Sequence, residues 1–268
     1  MTDHVPILML GAGRLGGALL DGWSLTQAFR PADLMIRDPA PGASAQKAAA
    51  EGARLNPPDS ELARARTVLL MVKPQVWRDA AAAIAPHLAP DAAIVSVAAG
   101  VRAADISGAF GGRPAARIMP ITAIAVAKGA GGAYAPDPAA RQAAHALFDP
   151  VSSLVDIEDE ALMDAVTGVC GSAPAYLYAF TEALEAAGEA EGLPRQAART
   201  LARATMAGAA ALMAASGEEP AELRRQVTSP GGTTAAALEV LMGDHGLGPL
   251  LREAVAAAAR RSGELSKS

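Results

Sequence analysis

A chain of 268 residues, 51% apolar and 19% charged, has ample material for a buried core and the balance of an ordinary globular protein. Its net charge of −5, with no cluster of Lys and Arg, argues against a nucleic-acid partner. One cysteine, Cys170, excludes an internal disulfide and suits a reducing cytoplasm, and no run approaches the ~18 uninterrupted apolar residues of a membrane span.

The apolar start is interrupted by glycines from Gly11 to Gly17, so no signal peptide is expected. A strand is expected over 5–10, a helix over 15–29 and a second strand over 34–37. The runs TVLLMV (67–72) and AAIVSV (92–97) read as two more strands, with a helix over 76–88 between them. Weaker strands follow at 117–119 and at the glycine-rich 129–135, and 151–155 ends the sheet. Strands alternating with helices indicate βαβ units, hence an α/β Rossmann-type, doubly wound sheet. From Glu158 onward helical periodicity takes over, through 174–190, 194–215, 220–227, 234–242 and 249–265. The expected organisation is a dinucleotide-binding domain, 1–156, then an all-α domain, 157–268. The helical half is rich in Ala, Gly and Ser and short of bulky residues, so a second copy is expected to complete its core.

Gly11-Ala12-Gly13-Arg14-Leu15-Gly16 is a G-x-G-x-x-G placed between the first strand and the first helix. There the first glycine permits the turn, the second admits a pyrophosphate to the backbone, and the third lets helix and strand pack closely. The second strand ends in Arg37-Asp38. An acidic residue at that place bonds the ribose hydroxyls of NAD and an Arg holds the extra phosphate of NADP, so the cofactor is NADP or NAD with both side chains on offer. A solvated charge pair in a turn is the plain alternative. Val72, Lys73 and Pro74, then Ala98, Ala99 and Gly100, then Met119 and Pro120 stand at strand ends on the edge where such sheets bind ligands. Lys73 reads equally as a cofactor contact or a surface residue.

His4, His87, His145 and His245 are scattered and fit no metal spacing, and Cys170 has no partner base, so no metal site is expected. Glu182 falls within a helix, where a carboxylate is commonly solvated or paired. The segment Val227-Thr228-Ser229-Pro230-Gly231-Gly232-Thr233-Thr234 carries hydroxyls, glycines and a proline but no charge, and it ends where a helix begins. Such a turn is a neutral cradle for a carboxylate, or else a plain turn with a Thr cap.

These motifs resemble those of the pyrroline-5-carboxylate reductase family over nearly the whole chain. The likeness rests on the loop at Gly11 to Gly16, on Val72-Lys73-Pro74-Gln75, on Val95-Ser96-Val97-Ala98-Ala99-Gly100, on Gly171-Ser172-Ala173-Pro174-Ala175-Tyr176, and above all on Val227 to Thr234. Two places depart from the family: Met-Pro-Asn-Thr-Pro becomes Met119-Pro120-Ile121-Thr122-Ala123, and Ala173 replaces a glycine. The resemblance implies reduction of a cyclic imino acid, 1-pyrroline-5-carboxylate, to L-proline by hydride from NAD(P)H. It also implies a helical domain that forms a homodimer, with a decamer of five dimers as the larger assembly. By the same resemblance Ser229, Gly231, Gly232 and Thr233 bind the substrate carboxylate, and Thr234 is the catalytic residue that bonds the ring nitrogen. A related imine or 2-hydroxy-acid reductase commonly places Lys or Asp on the helix after the domain boundary, whereas 167–175 is neutral here. A catalytically silent NAD(P)-sensing protein is the alternative from another class.

Overall fold

The computed structural model describes residues 4–265. They form two compact units: one holds the described residues up to Gly171 and those from Ala257 onward, the other is Ser172–Ala256.

The first unit is built on eight strands: β1 (Ile7–Leu10), β2 (Leu34–Arg37), β3 (Arg54–Leu55), β4 (Thr67–Leu70), β5 (Ala93–Ser96), β6 (Ala115–Pro120), β7 (Gly129–Tyr134) and β8 (Ser152–Asp156). They lie in the order β3-β2-β1-β4-β5-β6-β7-β8. All pairs are parallel except β6 with β7, which the short turn at 121–128 joins as an antiparallel pair. The chain runs outward from β1 in one direction and then in the other, so the topological switch point lies at the carboxyl end of β1, beside Gly11.

Every residue of β1, β4 and β5 is buried, which explains runs that are apolar without alternation: both faces of the sheet are covered. Ile7 and Met9 face one layer, with Leu19 and Trp23 of α1 (Arg14–Thr26), Ala45 of α2 (Ala43–Ala50), and Ala143 and Leu147 of a helix at Pro138–Phe148. Leu8 and Leu10 face the other layer, with Trp77 and Ile84 of α3 (Trp77–Ile84) and Ile106 of α4 (Ala103–Ala109). The helix at Pro138–Phe148 is α5, and its N-terminus is capped by Asp137, whose carboxylate accepts the Ala139 N–H at 2.8 Å. The Trp23 indole N–H donates to the Leu147 carbonyl at 2.8 Å, tying α1 to α5.

Beyond β8 the chain stays with the sheet. A helical turn, α6 (Met163–Val166), runs into a π-helical turn, Thr167–Gly171. The glycine-rich β7 makes room for it: a methyl on Gly132 would lie 2.6 Å from Val166, and one on Gly171 would lie 2.9 Å from the Met119 sulfur. The first unit therefore runs past the expected boundary at 156 to Gly171, because 157–171 packs against β7 and β6, and it takes up the chain again at Ala257.

The second unit holds α7 (Ala173–Ala190), α8 (Arg195–Ser216), α9 (Pro220–Gln226), α10 (Thr233–Leu241) and the first part of α11 (Leu247–Leu265). The hairpin of α7 and α8 closes where Gly188 faces Ala198, and Arg203 Nε donates to Glu185 at 2.6 Å. The last turns of α11 belong to the first unit, where the Ser262 hydroxyl donates to Asp164 at 2.7 Å. Among the described residues no helix is long and apolar enough to cross a membrane.

Candidate active site

The nucleotide loop follows β1 directly. Gly11 takes φ +89°, a left-handed turn that side chains resist, and a methyl there would lie 3.0 Å from the Met71 carbonyl oxygen. Its N–H donates to the Arg37 carbonyl at 2.8 Å, so the loop is stitched to the end of β2. A methyl on Gly16 would fall 2.5 Å from the Gly11 carbonyl, which is why α1 can start so close to the strand. At Gly13 a methyl would meet nothing within 4 Å. Gly13 is also the N-cap of α1 and supplies no side-chain cap. The first-turn N–H groups of α1 have no helical partner, and they face a place open to an anion. A dinucleotide pyrophosphate fits these residues.

Around that opening lies a cleft of about 450 Å³ lined by Ala12, Arg14, Asp21, Gly42, Ser44 and Ala125, among others. Like α1, α2 begins there without a side-chain cap. Asp38 bonds two of the segments that line it: one carboxylate oxygen accepts the Ala12 N–H at 2.6 Å and the other the Ala40 N–H at 2.7 Å. Arg37 turns elsewhere. Its guanidinium donates to the Pro57 carbonyl and to Asp59 at 2.7 Å, so the group offered by sequence for an extra phosphate is held in a structural tie. That hydrogen bond holds the Asp59 carboxyl below its usual range, against the opposing effect of burial. Leu15 is half-buried against the core, and its part in the loop is through the backbone.

Farther along the same edge, Val72, Lys73 and Pro74 leave β4, with Lys73 exposed at the start of a tight turn. After β5, Ala98 donates its N–H to the buried Ser96 hydroxyl at 3.2 Å, and Gly100 takes φ +76°. Met119 and Pro120 close β6. Ile121, the departure from the family pattern, starts the turn at 121–127 that packs on α1, its N–H donating to the Ala130 carbonyl at 3.1 Å. The structure thus gathers all the expected nucleotide residues along the carboxyl ends of one sheet.

The expected carboxylate cradle lies in the helical unit, at the start of α10. Gly231 takes φ +70°, and Gly232 is the N-cap with no side-chain cap bond. The Gly232 N–H is committed to the Ser229 carbonyl at 3.0 Å, and the Thr228 hydroxyl to the Arg224 carbonyl at 2.6 Å. The donors open to a ligand are therefore the first-turn N–H groups from Thr233 onward, with the exposed Ser229 and half-buried Thr234 hydroxyls beside them. Gly232, expected at the carboxylate by the resemblance, has its N–H taken by the turn's own hydrogen bond. Burial raises the Cys170 thiol, which keeps it protonated and unsuited to nucleophilic work. Among the described residues no group of His, Cys, Asp and Glu could hold a metal.

Comparison with known proteins gives the family. The pyrroline-5-carboxylate reductase of Pseudomonas aeruginosa is 38% identical over 266 residues, which covers 97% of this chain and 97% of that protein. The chain belongs to the pyrroline-5-carboxylate reductase family. The Pisum sativum reductase is 34% identical over 271 residues, covering 99% of this chain and 98% of the relative. Residues 160–265 match the family model described as pyrroline-5-carboxylate reductase dimerisation, and residues 6–100 match one described as NADP oxidoreductase coenzyme F420-dependent. The solved structure of the Coxiella burnetii pyrroline-5-carboxylate reductase superposes with a TM-score of 0.90 at 27% identity, over 99% of this chain and all of that one. A member of this family therefore carries Ile121 and Ala123 at the places where the resemblance led to an expectation of Asn and Pro.

Proposed function

We propose that this protein is an oxidoreductase that reduces 1-pyrroline-5-carboxylate to L-proline with NADPH or NADH, the last step of proline biosynthesis. The observation that carries the reading is the open, uncharged start of α10, an anion cradle without Lys or His, in a chain alike to these reductases from end to end. When bound, the nicotinamide cofactor supplies the hydride.

The chain's own residues bind, orient and handle the proton. The loop Gly11 to Gly16 holds the pyrophosphate: Gly13, Arg14, Leu15 and Gly16 face it at the start of α1, Gly11 and Ala12 shape the loop through their own hydrogen bonds, and Asp38 stands at the ribose. Val72 to Pro74, Ala98 to Gly100, and Met119 with Pro120 flank the nicotinamide half. Ser229 and the first-turn N–H groups from Thr233 grip the substrate carboxylate, with Gly231 and Gly232 shaping the turn. The carboxylate grip fixes the ring, so that the imine carbon is held in one orientation for the hydride. The Thr234 hydroxyl hydrogen-bonds the ring nitrogen and relays the proton that turns the imine into an iminium; as hydride then reaches the carbon, the electron pair of the C=N bond moves to that nitrogen and the ring becomes the amine. A strong protein acid is unnecessary because a protonated imine is already the electrophile.

In this reading a dinucleotide-binding domain spans 1–156 and a helical domain that binds substrate and dimerises spans 157–268, its first residues to Gly171 packed with the sheet unit. The match of 160–265 to a dimerisation family supports a homodimer. A decamer of five dimers is the larger assembly in this reading, and the cytoplasm its location. The deciding assay mixes purified protein with NADPH or NADH and follows oxidation and proline together. Oxidation should require pyrroline-5-carboxylate, and proline should form in equal amount. Cofactor binding without proline at any pH from about 6 to 9 would overturn the reading and leave a nucleotide-sensing protein.

A further inference from the structure

One carboxylate oxygen ties the first residue of α4 to the middle of β6, the elements that adjoin the two segments proposed to flank the nicotinamide half. Glu160 lies in the single tight turn Glu160–Leu162, just before α6. Its Oε1 accepts the Ala103 N–H at 2.7 Å and an Arg117 guanidinium N–H at 2.9 Å. Ala103 opens α4 three residues after Gly100, and Arg117 precedes Met119 by two on β6. The Arg117 side chain is 10% exposed and that of Glu160 21%, so the pair is shielded from water and its geometry is held. The same stretch of chain then lays Val166 on Gly132 of β7 and Gly171 on Met119 of β6.

A shielded ion pair of this kind is a poor source of stability, since desolvation offsets much of the attraction. What it supplies is a fixed distance. We infer that Glu160 and Arg117 are positioning residues for the reduction: they set the separation between Ala98–Ala99–Gly100 and Met119–Pro120 and so aim the donor at the imine carbon. Neither residue belongs to the nucleotide loop or to the substrate turn, and the inference rests on the assignment of that edge to the cofactor. The expected effect follows from the steepness of rate with alignment, about a hundredfold for a displacement of about 1 Å.

The test uses the full-length protein and the variants Glu160→Gln, Arg117→Met, Arg117→Lys and the double variant Glu160→Gln/Arg117→Met. Turnover, KM for each substrate, NADPH binding by fluorescence and melting temperature are measured together, well below the melting range. Arg117→Met should lower kcat about ten- to a hundredfold, with Arg117→Lys recovering part of it. Glu160→Gln keeps an acceptor for Ala103 and loses the charge, so it should fall between wild type and Arg117→Met. In the double variant no unpaired charge remains, so melting temperature should recover while kcat stays low. A purely structural pair would instead let kcat recover with stability, and that result, or wild-type kinetics in the single variants, overturns the inference. Ala99→Leu serves as the control for the edge itself. If it weakens NADPH binding while the Glu160 and Arg117 variants turn over normally, the edge assignment stands and the positioning role falls. If folded Ala99→Leu binds NADPH as wild type does, the edge assignment fails and the inference falls with it.

Discussion

The two compact units differ in how they hide their apolar surface. The sheet unit closes two layers over β1, β4 and β5, and Trp23, Phe110 and Phe148 lie fully inside it. In the helical unit, among the described residues, Ala198 and Ala202 are the buried apolar side chains. Leu177, Leu201, Leu212 and Met242 are more than half exposed, and Val240 is 77% exposed. Apolar surface on that scale stays soluble in a working protein only when something covers it. The sheet unit thus completes its core within one chain, whereas the helical unit is shaped like part of an interface. Its α10 carries the substrate turn, so under the proposed function chemistry depends on assembly where nucleotide binding does not.

The sharpest way to break this comparison is to charge the exposed apolar side chains. In a lone chain, Leu201→Glu and Val240→Glu would change little, within about 0.5 kcal/mol. In a homodimer interface an unpaired buried charge costs roughly 3 kcal/mol or more, over a hundredfold in association. We expect each variant to sediment as a smaller species and to lose most of its activity, while cofactor binding persists. Unchanged sedimentation and full activity for both would remove the comparison. The sheet unit gives the complementary result. Leu69 is fully buried at the centre of the sheet, and Leu69→Ala should cost about 2–5 kcal/mol. That cost should be the same at every protein concentration, whereas the stability carried by the helical unit should rise with concentration. Chemical denaturation at two concentrations about a hundredfold apart reads both, the concentration effect following from linkage of folding to association.

The same contrast explains what was legible beforehand. The central strands were plain in the sequence because burial on both faces demands unbroken apolar runs, and β2 lies where expected, at Leu34–Arg37. The two-residue β3 and the helices α2, α4 and α5 were not marked. Their packing faces are made largely of alanine, as at Ala45 in α2 and Ala140, Ala143 and Ala144 in α5, so the periodicity is faint. The nucleotide loop was legible because its glycines answer local steric demands at Gly11 and Gly16. The tie of Asp38 to Ala12 and the diversion of Arg37 to Asp59 were not, since both pair residues more than twenty positions apart. Glu160 gave no signal for the same reason: its partners are set by folding, and the glycines of β7 that admit its segment read only as a weak strand.

Within the helical unit, the substrate turn offers a smaller and more local perturbation. Ser229→Ala removes one hydrogen bond to a charged carboxylate, worth about 1.5–3 kcal/mol, so KM should rise about ten- to a hundredfold with kcat little changed. Thr234→Ala should lower kcat instead, and Thr234→Ser should be milder. The structure sharpens this test. Gly232 is the N-cap of α10 and no side chain caps it, so loss of the Thr234 hydroxyl removes no cap and melting temperature should hold. Full kcat in Thr234→Ala would assign the proton to water. A drop that follows melting temperature would make the residue a helix former and nothing more.

The smallest effect belongs to the sheet unit's rim, where it tests whether that unit's stability is indifferent to chemistry at the site. His145 on α5 sits between two carboxylates, with Nδ1 3.0 Å from Asp149 and Nε2 3.2 Å from Asp156. Partial burial works against charge on the imidazole, but the hydrogen bonds and charges of Asp149 and Asp156 outweigh it, and the folded-state pKa is raised. A raised value means the folded chain holds the proton more tightly than the unfolded one. The stabilisation is therefore fully present below the ordinary value of about 6.5, and it is lost as pH climbs through the raised one. The group is partly exposed, so solvent screening holds the increment to that of surface pairs, about 0.2–1 kcal/mol. His145→Gln should match wild-type melting at high pH and fall below it as pH drops past neutrality. Parallel melting curves at all pH values would mean the two aspartates make no net use of the charge, and a variant less stable only at high pH would reverse the assigned sign.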